Sequence, residues 1–301
     1  MMIAITGATG NTGKSAAEAL LAKSEKIRVI GRDAPKLQPF VQKGAEALVG
    51  SVDDPAFLRK AFQGATAAYL LIPPDMQTND YRAYQEKIVA AYAAAIADAK
   101  VPYVVTLSSI GADLPEKSGP ILGLRSLETK LNAINGLNVL HLRPVGFMEN
   151  LFMSVQPLRT MGTLPGPLPG DAMYAMIAAR DIGAYAAERL HARDFSGSSV
   201  QELHGQRDIS MKEVASIVGN AIGKPKLGYM QVPFMMLEPA LVQTGLPKST
   251  VALMIEMWKS INSGTLKPHE PRNAKNTTPT SIETFVAEVF APAYLSMAAK
   301  A

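Results

Sequence analysis

Three glycines within the first thirteen residues constrain this chain more than any other feature. The stretch Thr6-Gly7-Ala8-Thr9-Gly10-Asn11-Thr12-Gly13 follows a strand-length apolar run, Ile3–Thr6, and opens a helix predicted over Thr12–Lys23. In that context Gly7 permits a tight turn out of the strand, Gly10 leaves room for a pyrophosphate, and Gly13 lets the helix pack closely on the strand. The free N–H groups and positive dipole end of the helix then face an anion. Gly7, Thr9, Gly10, Asn11, Thr12 and Gly13 are therefore candidate dinucleotide-binding residues. A rival reading, Ala8-x4-Gly13-Lys14-Ser15, is a relaxed phosphate loop. It lacks the strict first glycine and leaves Gly7 and Gly10 unexplained. Nor does the later strand end in an acidic residue to hold a metal: Tyr69-Leu70-Leu71-Ile72 runs into Pro73-Pro74.

The second strand separates the two nicotinamide cofactors. An NAD site presents Asp or Glu at its end to the ribose hydroxyls. This strand ends Ile30-Gly31-Arg32. Arg32 can pair with a 2′-phosphate, and Asp33, one step further on, reads as a helix cap. The expected cofactor is NADP(H).

Up to residue 142 the chain alternates apolar strands (Ile3–Thr6, Ile27–Ile30, Ala45–Val49, Thr66–Ile72, Tyr103–Leu107, Val139–Leu142) with helical stretches. The strands are continuously apolar, as in a parallel sheet covered on both faces. After Arg143-Pro144 the texture changes: Thr163–Gly170 is dense in Pro and Gly and reads as a loop, and from Gly205 short helices dominate. The expected architecture is α/β, a Rossmann-like doubly wound parallel sheet with a smaller, mostly helical C-terminal cap. Residues 1–146 form the nucleotide-binding part, 177–204 return to it, and 147–176 with 205–301 form the cap.

Composition closes other routes. There are no cysteines among 301 residues, so disulfide, thiolate and iron–sulfur chemistry are excluded. Four scattered histidines argue against a metal site. A formal charge of +4 without a Lys/Arg run argues against nucleic acid. No apolar run reaches the roughly 18 residues that span a bilayer. The start has no basic region before an apolar stretch, so a cytoplasmic protein is expected.

Thr6-Gly7-Ala8-Thr9-Gly10-x-x-Gly13, Gly31-Arg32 and Leu142-Arg143-Pro144-Val145-Gly146-Phe147-Met148-Glu149-Asn150-Leu151 resemble the NmrA-like branch of the atypical short-chain dehydrogenases/reductases. Arg180-Asp181-Ile182-Gly183 and Ile209–Val214 extend the resemblance over nearly the whole chain. It implies strand order 3-2-1-4-5-6, NADP(H) binding, and a cleft between sheet and cap. It would set Val52, Leu71, Ile72 and Pro73 along the adenosine, and Ser108, Lys130 and Pro144–Phe147 near the nicotinamide. Ser51 departs from the Asp that relatives commonly place beside the adenine. The branch holds both quinone or dye reductases and regulators that sense NADP and bind a partner protein.

Short-chain dehydrogenases use Tyr and Lys four residues apart, on one helix face, to protonate a carbonyl. None of the nine tyrosines has Lys four positions later. Where the pair belongs, Ser126 precedes Lys130, and Ser126 cannot replace the phenol. Lys130 remains a ribose ligand or an exposed helix lysine. Glu128 reads as helix surface or a hinge cap rather than a general base, and Ser108 and Ser109 as substrate contacts or strand-end hydrogen-bonders. His141 reads as a core residue, and His191, His204 and His269, unclustered in the sequence, are assigned no catalytic role. Hydride transfer to a conjugated acceptor needs no phenol, because the resulting anion is delocalised; it needs a flat apolar site, for which Phe147, Met148, Phe152 and Met153 are candidates. The reading is an NADPH-dependent oxidoreductase acting on a quinone-like or other conjugated small molecule, as monomer or homodimer. The alternative is a non-catalytic NADP(H)-sensing regulator.

Overall fold

The structure is a computed structural model that describes residues 1–298. The chain lays down β1 (Met2–Thr6), α1 (Asn11–Ala22), β2 (Lys26–Gly31), α2 (Ala34–Val41), β3 (Glu46–Val49), α3 (Pro55–Phe62), β4 (Ala67–Leu70), α4 (Tyr81–Ala99), β5 (Tyr103–Leu107), α5 (Leu122–Asn132) and β6 (Asn138–Pro144). There follow β7 (Gly146–Phe147), α6 (Val155–Met161), β8 (Leu164–Gly166), β9 (Met173–Ile177), α7 (Ala179–Ala192) and β10 (Ser198–Leu203). The last part carries β11 (Asp208–Ser210), α8 (Met211–Ala221), β12 (Tyr229–Gln231), α9 (Phe234–Gln243), α10 (Lys248–Asn262), α11 (Ile282–Phe285) and α12 (Ala291–Ala298).

Seven strands form one parallel sheet in the order β3-β2-β1-β4-β5-β6-β10. This is the expected doubly wound order with β10 added beside β6. Strand residues alternate between two buried faces. Ile3, Ile5, Val29, Tyr69 and Val105 meet α1, α2 and α7, while Ala4, Ile30, Leu70 and Val104 meet α3, α4 and α5. Three of the helices, α2, α3 and α4, begin on acidic caps: Asp33 accepts from the Lys36 amide, Asp54, just before Pro55, from those of Ala56 and Phe57, and Asp80 from that of Ala83.

A separate core gathers Met148, Leu151, Leu158, Leu164, Val214, Phe285 and Phe290. This part is less purely helical than expected. β7, β9 and β11 form a three-stranded sheet, and β8, which lies inside the Thr163–Gly170 stretch read as a loop, pairs with β12. These strands are two to five residues long, too short for a period to register. The last helical stretch runs from α11 through a π-helical turn over Val286–Phe290 into α12.

Polar ties join the two parts. The Glu149 carboxylate accepts the Ala179 amide at 3.0 and 3.1 Å and so caps α7 from a distant segment. Burial raises the Glu149 pKa, against the pull of these amide hydrogen bonds. Asp181 accepts from the Thr280 amide and hydroxyl, and Arg180 reaches Thr280 and Glu288. Gly183 lets α7 lie against the start of α1: a Cβ there would stand 2.4 Å from the Thr12 carbonyl oxygen and 2.6 Å from Ser15 Cβ. Gly183→Ala should therefore lower unfolding stability by about 1–3 kcal/mol, read as a shift in urea midpoint at unchanged slope.

Candidate functional site

β1 and β4 are neighbours, yet α1 after β1 packs on one face and α4 after β4 on the other. The connections diverge, opening a crevice at the carboxyl ends of these strands, where open α/β sheets bind ligands. Thr6 fixes its floor: its hydroxyl donates to the Tyr69 carbonyl at 3.0 Å and accepts from the Leu71 amide at 3.1 Å. The Tyr92 hydroxyl, its pKa pushed up by burial, donates to the Leu71 carbonyl.

Gly7 takes φ +62°, and a Cβ there would lie 2.8 Å from Leu71 side-chain carbons. The Gly10 amide closes the turn onto the Gly7 carbonyl at 2.9 Å. A Cβ on Gly13 would come within 2.3 Å of the same carbonyl oxygen, so the helix start is pressed onto the turn. Gly10 carries no capping side chain. Among the described residues, the amides of Asn11, Thr12 and Gly13 have no protein acceptor. Thr9, Gly10 and Asn11 are exposed, whereas the Thr12 side chain is buried. This cradle of free donors fits an anionic group such as a pyrophosphate.

Gly31, at the end of β2, lies against the turn: its Cβ would meet Thr9 Cγ2 at 3.7 Å. Arg32 is exposed and makes no ion pair or hydrogen bond among the described residues. Asp33 is occupied, capping α2 and pairing with Lys36 at 3.2 Å. Val52 is buried, Ile72 and Pro73 half-buried, and the Pro73 carbonyl accepts the Tyr84 hydroxyl at 2.8 Å. Beside Val52, Asp53 pairs with Lys87 at 2.8 Å, and the hydrogen bonds from Lys87 and Ser51 hold its pKa below the usual carboxylate range.

On the other side of the crevice lies a buried polar group. Ser108, just past β5, donates its hydroxyl to Glu128 Oε1 at 2.5 Å. Arg143 grips the same carboxylate, Nε to Oε1 at 2.9 Å and Nη2 to Oε2 at 2.6 Å, and sends Nη1 to Asp113 at 3.3 Å. Burial opposes the Arg143 charge, but the Glu128 hydrogen bonds and the Glu128, Asp113 and Glu202 charges raise its pKa. Glu128 is thus 6% exposed and faces the sheet, contrary to its reading as helix surface. With its proton committed to Glu128, Ser108 offers lone pairs to a ligand rather than a proton.

Lys130 is held elsewhere. Its ammonium pairs with Glu86 of α4 at 3.0 Å in a part-exposed bridge, and it makes no hydrogen bond to Ser108. Pro144 is buried and its carbonyl accepts the Ile110 amide; Phe147 is half-buried beside the sheet core. The four residues read as an apolar wall divide. Met148 and the Phe152 ring, 5.4 Å from that of Phe290, belong to the second core, and Met153 is 55% exposed. His141 is a core residue as expected, bonded to Thr106 and Asn132, with a pKa lowered to about 4 by burial. Sequence reading missed Glu128, Arg143, Asp113 and Glu202. A signal existed for Glu128: it falls on the Leu124–Leu127–Leu131 stripe of α5.

The fold and crevice define a doubly wound α/β protein with a glycine turn at its switch point. The NmrA-like family model matches residues 1–287, and the chain belongs to that family. It is 27% identical over 261 residues to the NAD(P)H azoreductase of Xenophilus azovorans, covering 85% of this chain and 86% of the relative. In structure it is similar to the Escherichia coli NADPH-dependent quinone oxidoreductase complexed with NADPH, with TM-score 0.78, 24% identity and coverage of 96% of this chain and 100% of that one. It is similar also to the Citrobacter sp. triphenylmethane reductase complexed with NADP(H), with TM-score 0.76, 21% identity and coverage of 94% and 98%. These structural likenesses support the shared fold.

Glu128→Ala would leave the Arg143 guanidinium buried without its main partner. It should cost about 3 kcal/mol or more in chemical denaturation. Truncating the exposed pair by Glu86→Ala should cost less than about 1 kcal/mol.

Proposed function

We propose that this protein is an NADPH-dependent oxidoreductase that passes hydride to a quinone-like or other conjugated small molecule. The observation that carries this reading is the pairing of two anion-suited groups side by side at the carboxyl end of the sheet. The free amides at the start of α1 suit the pyrophosphate, and the unpartnered Arg32 suits a 2′-phosphate. The adjacent acidic residue, which would accept ribose hydroxyls in an NAD site, is consumed by its helix cap. The relatives' names, an azoreductase, a quinone oxidoreductase and a triphenylmethane reductase, support a conjugated acceptor.

Bound NADPH supplies a hydride. In this reading Gly7, Gly10 and Gly13 shape the turn, while Thr9, Asn11, Thr12 and Arg32 bind phosphate groups. Val52, Leu71, Ile72 and Pro73 line the adenosine side, and Ser108, Pro144 and Phe147 border the nicotinamide. Ser108 serves there as a fixed acceptor, suited to a carboxamide N–H. Lys130 reaches a ribose only by leaving Glu86. Residues 1–146 with 177–204 carry the cofactor, and 147–176 with 205–301 shape the acceptor site.

The test is NADPH oxidation by the purified protein with a panel of quinones and azo or triphenylmethane dyes. Turnover is expected with at least one class. NADP+ binding without any turnover would contradict the enzyme reading and favour the sensor. Arg32→Glu should weaken NADPH binding about 10- to 100-fold, the worth of a charged hydrogen bond to phosphate, and NADH binding far less. Equal losses would refute the role of Arg32.

A further inference from the structure

Hydride reduction leaves a quinone or azo acceptor as an anion that lacks one proton, and Ser108, Glu128 and Arg143 cannot supply it. The Ser108 proton is held by Glu128, both Glu128 carboxylate oxygens are spent accepting from the Arg143 guanidinium, and a guanidinium does not give up protons. Histidine is the side chain suited to this task near neutrality. Of the four histidines, His141 is locked in the sheet between Thr106 and Asn132. His191 pairs with Glu25, in the turn between α1 and β2, at the opposite edge of the sheet. His204 is 3% exposed and bonded to Glu202. His269 alone is exposed at the carboxyl edge.

The segment carrying His269 crosses the carboxyl ends of β5, β6 and β10 and is tied down there. Leu266 packs with Ala112 and Ile121 and fills the space where a Cβ on Gly111 would sit. The buried carboxylate of Glu202, in β10, accepts the amides of His269 and Glu270 at 3.0 to 3.2 Å. The His269 ring lies on the loop that leaves Ser108: Nε2 is 2.9 Å from Asp113 Oδ2, and Asp113 is held in turn by Arg143. The His269 side chain remains 58% exposed, and Nδ1 has no partner among the described residues. The charged and titratable groups facing it are Asp113 from the β5 loop, with Arg143 of β6 behind it, Glu202 of β10 with His204, and Glu270 and Lys267 on its own segment.

We propose that His269, oriented by Asp113, is the catalytic acid that protonates the reduced acceptor in the reaction proposed above. One N–H bond of the imidazolium breaks and one O–H or N–H bond of the product forms. The electron pair for the new bond comes from the acceptor anion, and the neutral imidazole regains its proton from water. Asp113 stays ionised throughout: burial raises its pKa, but the hydrogen bond and charge of His269 and the charge of Arg143 bring it below the ordinary range. The dyad thus serves the step that the missing Tyr–Lys pair serves in other short-chain dehydrogenases.

The experiment compares wild type with His269→Gln on an acceptor that wild type reduces. The expected result is a fall in kcat of about 10²-fold, the usual worth of a general acid, with loss of the alkaline decline in the wild-type pH profile. NADP+ affinity by calorimetry should stay within twofold. A second measurement uses wild type alone: a redox-inert hydroxynaphthalene bound with NADP+ should shift the His269 ring resonances and not those of His191. An unchanged kcat and pH profile in the variant would overturn the proposal while leaving the oxidoreductase reading intact. So would loss of NADP+ affinity in parallel with kcat, or a silent His269 resonance. Absence of turnover in wild type would instead sink the reading on which it rests.

Discussion

The structure depends on the contact between the start of α1 and the turn beneath it. The Gly13 position leaves no space for a methyl group against the Gly7 carbonyl, and the Gly183 position leaves none against Thr12 and Ser15. The first turn of α1 is therefore clamped between the β1 turn on one side and α7 on the other. Its three free amides are held in place before any ligand arrives, so little ordering cost remains to be met on binding. Residues far along the chain maintain this clamp. Glu149 caps α7, Ser15 donates to the Arg180 carbonyl at 2.7 Å, and Asp181 and Arg180 fasten the same helix to Thr280 and Glu288.

That arrangement gives the conspicuous segments around Glu149 and Arg180–Gly183 a structural meaning. They join the sheet to the second core through α7. The groups suited to chemistry lie elsewhere, along the carboxyl edge from Arg32 through Leu71 and Ser108 to His269. The edge is divided by charge. Arg32, exposed and without an ion pair among the described residues, stands at one end, and a carboxylate-rich network of Glu128, Asp113 and Glu202, balanced by Arg143, lies at the other.

The sheet was legible because its strands are continuous apolar runs and its helices carry caps such as Asp54-Pro55. The glycine turn was legible because its three residue choices each answer a local steric demand. The short strands of the second part were not, since Gly146–Phe147 and Leu164–Gly166 are stabilised only by partners distant in sequence. The same holds for the polar network: Asp113 and His269 are 156 residues apart, and nothing local to either announces the other. Glu128 was misplaced because a charged residue on a helix was taken as solvated. Its place on the apolar stripe of α5 counted for more.

The most direct test of the central claim is calorimetric titration of the folded, purified protein with NADP+ and, separately, NAD+. The account predicts one site per chain with NADP+ bound at least about tenfold more tightly, as one charged contact to the 2′-phosphate requires. Absence of binding heat for NADP+ at several temperatures, or equal affinity for the two dinucleotides, would contradict it.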